Sequence, residues 1–151
     1  MPKKLPLATL IELAQTKTDE ATRRLGQLQN AQISAAAKLD MLVQYRKEYL
    51  DQFYGQMREG AALAYVRNFQ NFIGTLDAAI DQQRALTVQA DTRLGLGRTD
   101  WRHNKQRLTS FDTLADRVRQ QEIIASNKKE QRDNDERSAR QFYLRTTSLA
   151  D

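Results

Sequence analysis

Two apolar ladders run through the chain, stepping by alternating threes and fours. The first is Leu7, Ile11, Ala14, Thr18, Ala21, Leu25, Leu28, Gln32, Ala35, Leu39, Leu42, Arg46, Tyr49 and Phe53. The second is Ala62, Val66, Phe69, Ile73, Leu76, Ile80, Gln83, Thr87, Ala90, Leu94, Gly97, Trp101, Asn104 and Leu108. Eleven of the first fourteen positions are apolar, and ten of the second fourteen, so each ladder marks a continuous seam. A mean period of about 3.5 residues, held without a stutter, is the pattern of helices that supercoil around each other. The chain is therefore expected to be all-α: a long two-helix antiparallel coiled-coil hairpin, the second helix longer and overhanging the first.

Composition agrees with a narrow seam. Aromatic residues make 7% of the chain and charged residues 28%, a balance that suits solvated helix faces better than a globular core. Both prolines lie in the first six residues. Pro6 suits a helix start, because a missing N–H costs nothing there. From Pro6 to Phe53 the only glycine is Gly26, which predicts a helix of about 48 residues, on the order of 70 Å long at ~1.5 Å per residue. Gly55 and Gly60 bracket Gln56-Met57-Arg58-Glu59 and read as the turn. The expected organisation is a flexible basic start over 1–5, helix 1 over 6–54, a turn over 55–60 and helix 2 over 61–125. A charged extension, helical or frayed, fills 126–151. The stretch Leu94-Gly95-Leu96-Gly97 is expected to weaken or bend the second helix.

Folding the ladders about that turn sets Phe53 opposite Ala62, Tyr49 opposite Val66 and Arg46 opposite Phe69, outward to Leu7 opposite Leu108. Gln32 then meets Gln83, a buried amide pair that would fix the register. Ala14 meets Trp101 and Thr18 meets Gly97, large against small. Past Leu108, the seam residues Phe111, Ala115 and Val118 would face Lys3, Lys4 and Leu5.

Catalytic chemistry finds no footing. There are no cysteines, so disulfides, thiol catalysis and Cys-based zinc sites are excluded. His103, the one histidine, has no ligand or base at a useful spacing and reads as a solvated helix residue. Asp77 and Asp81 lie one helical turn apart, but a two-helix seam encloses no pocket to perturb them. We expect no enzyme, no cofactor and no metal. No apolar run is long enough to cross a membrane and no secretory leader is expected, which points to a cytoplasmic protein. The net charge of +5 permits an acidic partner. Arg84, Arg93, Arg98, Arg102, Lys105 and Arg107 are interleaved with Asp81, Asp91 and Asp100, so nucleic acid is not the expected ligand, and an architectural nucleic-acid-binding coiled coil ranks low.

The residues beside the seam are more telling. One flank of the second helix, Gln70, Asp77, Arg84, Asp91 and Arg98, is ordinary solvated material. The other flank carries Ala31, Lys38, Tyr45 and Gln52 on the first helix, and Tyr65, Phe72, Ala79 and Leu86 on the second. Further from the turn it becomes Arg24 with Arg93, and Lys17 with Asp100. Part of this flank broadens the core. Aromatic side chains collected on one side also form the kind of surface on which a helical partner docks.

Three segments resemble the FliJ family of flagellar type III export components. They are Leu7, Leu10, Leu13, Ala14, Asp19, Ala21, Leu25 and Gly26; the run from Lys38 to Tyr49; and the run from Phe72 to Ile80. Trp101 with Gln106-Arg107-Leu108 continues the likeness. The resemblance implies a stalk-like coiled coil that binds the hexameric export ATPase, promotes its ring assembly, links it to the membrane export gate and escorts export chaperones. It implies a gate-binding strip at Leu42, Tyr45, Tyr49, Phe72, Leu76 and Ala79, with Lys38, Tyr65, Gln83 and Leu86 at its margin. Leu42, Tyr49 and Leu76 are also seam positions, which gives them a supporting role. By analogy with rotary stalks, the ATPase-facing end is expected near Lys3, Lys4, Arg117 and Arg119. Membrane association would be peripheral, through the gate alone. An equivalent stalk of a virulence secretion system is the alternative reading.

Overall fold

The computed structural model describes residues 6–149. It consists of two helices, α1 (Leu7–Glu59) and α2 (Leu63–Leu149), with no strand among the described residues. The second helix is the longer, 87 residues against 53. Every ladder position from Leu7 to Phe53 and from Val66 to Leu108 is buried or half-buried. The heptad pattern thus marks the seam along its whole length. It encloses little: among the described residues no large side chain is fully shielded from solvent.

The turn is one heptad's worth of pairing away from the expected place. Helix α1 does not stop at Gly55 but continues to Glu59. Glycine inside a helix costs roughly 1 kcal/mol against alanine, which tertiary packing readily offsets. Here the extra turn of helix supports Phe53, whose ring stacks on Phe69 (3.7 Å between centroids) and on Tyr65 (6.1 Å). Gly60 is the residue that ends the helix. Its φ of 88° is left-handed, the conformation glycine adopts freely after a helix C-terminus, and its N–H donates to the Met57 carbonyl at 3.3 Å. The Ala62 carbonyl then accepts from Tyr65 and Val66 to start α2.

Moving the turn moves every pair. Phe53 meets Phe69 rather than Ala62. The Thr18 hydroxyl donates to the Asn104 carbonyl at 3.3 Å, so Thr18 does not lie opposite Gly97. The expected glutamine layer does not form. Gln83 is buried, but its Nε2 donates to the Ala35 carbonyl at 3.1 Å, which also accepts from the Thr87 hydroxyl. A backbone oxygen has a second lone pair to offer, so a lone seam amide finds a partner without a second glutamine. Arg24 pairs with Asp100 at 3.1 Å, replacing the expected Lys17–Asp100 neighbours. Leu28 packs at Gly97, and the helix runs unbroken through Leu94–Gly97.

The helices contribute to two compact units. One spans Gln15–Lys105 and holds the turn. The other, within the described residues, comprises 6–14 and 106–149. In this second unit Ala14 and Leu108 are buried, Leu7, Ile11, Phe111 and Ala115 are half-buried, and Arg107 lies over the Phe111 ring at 5.8 Å. From residue 116 to 149 every side chain is exposed, although α2 continues as helix to Leu149. Over its described residues, 126–149, the extension is helical. Oppositely charged residues four apart, Lys129 with Asp133, Arg132 with Glu136, Asp133 with Arg137 and Glu136 with Arg140, suit a helix without a packing partner.

Candidate functional site

The unit that holds the turn carries the aromatic cluster. Tyr45, Tyr49 and Phe53 lie on α1 at one-turn spacing, and Tyr65, Phe69 and Phe72 on α2 repeat that spacing in the opposite chain direction. Tyr49 stacks on Phe69 (5.4 Å, 7° between planes) and lies 4.4 Å from Phe72. Tyr45 meets Phe72 edge-on at 6.2 Å and Tyr49 at 6.3 Å. Such tilted and edge-to-face pairs contribute about 0.5–1.5 kcal/mol each beyond the area they bury. The cluster grades from core to surface: Phe69 is buried, Tyr49, Phe53, Tyr65 and Phe72 are half-buried, and Tyr45 is 48% exposed.

The residues of the expected gate strip divide accordingly. Tyr45 and Phe72 share the flank and touch each other. Ala79 is half-buried on α2. Leu42 and Tyr49 are half-buried in the seam, and Leu76 is 6% exposed, a core residue. Of the margin, Lys38 and Leu86 are exposed, Tyr65 is half-buried and Gln83 is buried with its amide turned to the Ala35 carbonyl. The Tyr45–Phe72 contact survives the change of register because a flank residue on α1 lies between two successive flank positions of α2. Arg117 and Arg119 are exposed in the other unit, with Arg119 3.8 Å from Asp116. Lys3 and Lys4 lie outside the described residues.

The opposite flank is less inert than its sequence suggested. The Arg46 guanidinium reaches across the seam to Asp77 at 2.5 Å, and this hydrogen bond, with the attraction of the carboxylate, holds the Arg46 pKa above its ordinary value. No group of three or more His, Asp or Glu residues able to hold a metal ion occurs among the described residues. Among the same residues, no helix is long and apolar enough to cross a membrane.

Fold and surface together define a coiled-coil α-hairpin with a partly exposed aromatic flank. Comparison with known proteins makes this specific. The Flagellar FliJ protein family model matches residues 3–147. The chain is 36% identical over 130 residues to the Flagellar FliJ protein of Salmonella typhi, covering 86% of this chain and 88% of that one. It is 34% identical over the same length and shares to the Flagellar FliJ protein of Escherichia coli K12. The chain belongs to the FliJ family, and with it to flagellum biogenesis and type III protein export.

Proposed function

We propose that this chain is a non-enzymatic stalk and coupling component of the flagellar export machine. It binds the hexameric export ATPase and promotes assembly of its ring. Through the Tyr45–Phe72 flank it engages the cytoplasmic part of the membrane export gate, and it escorts export chaperones. On this reading the protein works in the cytoplasm and touches the membrane only through the gate.

One observation carries the gate assignment: Tyr45 is half in solvent while its ring rests edge-on against Phe72. An aromatic side chain held in place by neighbours, yet open on one side, loses little conformational freedom when a partner covers it, which is the property of an interface anchor. Leu42, Tyr49 and Leu76 hold that surface from beneath, while Ala79 leaves room beside it. The ATPase is assigned to the end bearing Arg117 and Arg119, where exposed cations and an exposed helix are available.

The test is the double variant Tyr45→Ala/Phe72→Ala, assayed by pull-down against the gate's cytoplasmic domain and against the ATPase, with helicity followed by circular dichroism. Retained helicity and ATPase binding with lost gate binding is the expected result. Simultaneous loss of helicity would make these rings core, and undiminished gate binding would remove the flank from the interface.

A further inference from the structure

The flank opposite the aromatic one contains a second, differently built groove. On α1, Ala36, Val43, Leu50 and Met57 recur every seven residues beside the seam. Val43 and Met57 are each 43% exposed, and Leu50 is half-buried. On α2 the facing wall is charged. Between the walls lies a concave site of about 520 Å³ with the buried Ile80 among its lining residues. The Arg46–Asp77 ion pair, also part of the lining, ties the two helices together.

Charge and backbone restrict what can occupy it. The lining holds three cations, Arg46, Lys47 and Arg84, against two carboxylates, Asp77 and Asp81. Arg46 is matched by Asp77 and Arg84 lies 3.9 Å from Asp81, whereas Lys47 has no carboxylate within ion-pair distance among the described residues. The surplus charge therefore sits at Lys47, beside the apolar stripe. Both walls are continuous helix, whose backbone groups are already bonded internally, so no extended segment can add by strand pairing. A seven-residue apolar repeat instead matches the spacing at which another helix presents its own apolar side chains.

We propose that this groove receives an amphipathic helix of a partner protein, its apolar face on Val43 and Leu50 above the buried Ile80 and a carboxylate on Lys47. The surface is distinct from the Tyr45–Phe72 flank and does not depend on it, so the hairpin can hold one partner on each side.

The test uses the full chain with labelled methyl groups and a lactam-bridged helical peptide with leucines on one face and glutamates beside them. A matched peptide carries lysines in place of the glutamates. The acidic peptide is expected to shift the Val43, Leu50 and Ile80 methyl resonances and the basic one to leave them in place. Lys47→Glu should weaken binding roughly fivefold, the effect of one surface charge pair. Val43→Asp, at an exposed position that does not threaten folding, should weaken it about tenfold through lost apolar contact. Absence of shifts at millimolar peptide, equal binding of both peptides, or shifts confined to the neighbourhood of Tyr45 and Phe72 would each overturn the proposal. So would a doubling of mass without peptide that buries the same methyl groups, since the occupant would then be a second copy of the chain.

Discussion

Gln83 donates its side-chain amide to the main-chain carbonyl of Ala35, 3.1 Å away across the hairpin. The Ala35 carbonyl lies within α1 and accepts from that helix's own N–H ladder, so it stays bonded if the glutamine is removed. Gln83→Leu is therefore expected to be neutral or stabilising by up to about 1 kcal/mol, because an apolar side chain replaces a desolvated amide and leaves no buried group unpaired. Urea unfolding followed by circular dichroism measures it. A loss greater than that would mean the amide specifies the seam.

The register itself is open to direct measurement, since the chain has no cysteine of its own. The double variant Ala35→Cys/Thr87→Cys should react within one molecule with a short bifunctional thiol reagent. The double variant Ala35→Cys/Ile80→Cys should not, since that pairing belongs to the alternative alignment one heptad away. Equal cross-linking of both would show a seam that slides.

Glycine substitutions should separate the two candidate turn positions. At Gly55, inside α1 with open space where an added methyl group would stand, alanine is expected to stabilise by about 0.5–1 kcal/mol. At Gly60, with φ at 88°, alanine is expected to destabilise by roughly 1–2 kcal/mol. Thermal melts of the two variants should shift in opposite directions. A second contrast lies further along α2, where Gly95→Ala should raise the midpoint more than Gly97→Ala. A methyl group on Gly97 would fall 2.5 Å from Leu28 Cδ1 and force that side chain to move.

Core and contact residues within the aromatic cluster should part company under alanine substitution. Phe69 is 6% exposed and stacked by both Tyr49 and Phe53, so Phe69→Ala should cost about 3–5 kcal/mol. Tyr45→Ala, at a half-exposed ring, should cost about 1 kcal/mol or less. Denaturant midpoints give both values, and similar losses would mean that Tyr45 is a structural residue.

Amide hydrogen exchange should fall into two classes along α2. Protection is expected to be high from Val66 to Leu108, where one face is covered, and low from 121 to 149, where every side chain is exposed. Uniform protection to Leu149 would require a partner on the exposed stretch.

The heptad period made the helices and their seam positions legible from sequence, all but the exposed Ala62, because only one spacing keeps a stripe of side chains facing a partner over so many turns. The alignment of the two stripes was not legible in the same way. A slip of one heptad still sets one apolar stripe against the other, so the choice falls to the turn, and two glycines competed for it. Sequence reading gave both glycines to the turn, whereas the chain uses only Gly60, in a left-handed conformation, and absorbs Gly55 into α1. The Gln32–Gln83 layer and the Lys17–Asp100 neighbours were lost with that choice. The Tyr45–Phe72 flank was found regardless, since flank positions depend on the period and scarcely on the slip. The opposite flank was missed because only its α2 wall was read. The signal lay in the sevenfold recurrence of Ala36, Val43, Leu50 and Met57 on α1.

The stack of Phe53 on Phe69 is the first large seam layer beyond Gly60, and its two rings are near neighbours along the chain, whereas Thr18 and Asn104 meet 86 residues apart. The entropy of closing a loop rises with its length, so the aromatic layer is the cheapest contact for an unfolded chain to make. Once it forms, each further layer has only one more heptad to bring together. That ordering predicts a folding zipper that starts at the turn and runs outward, with the rings of the proposed docking flank in its nucleus.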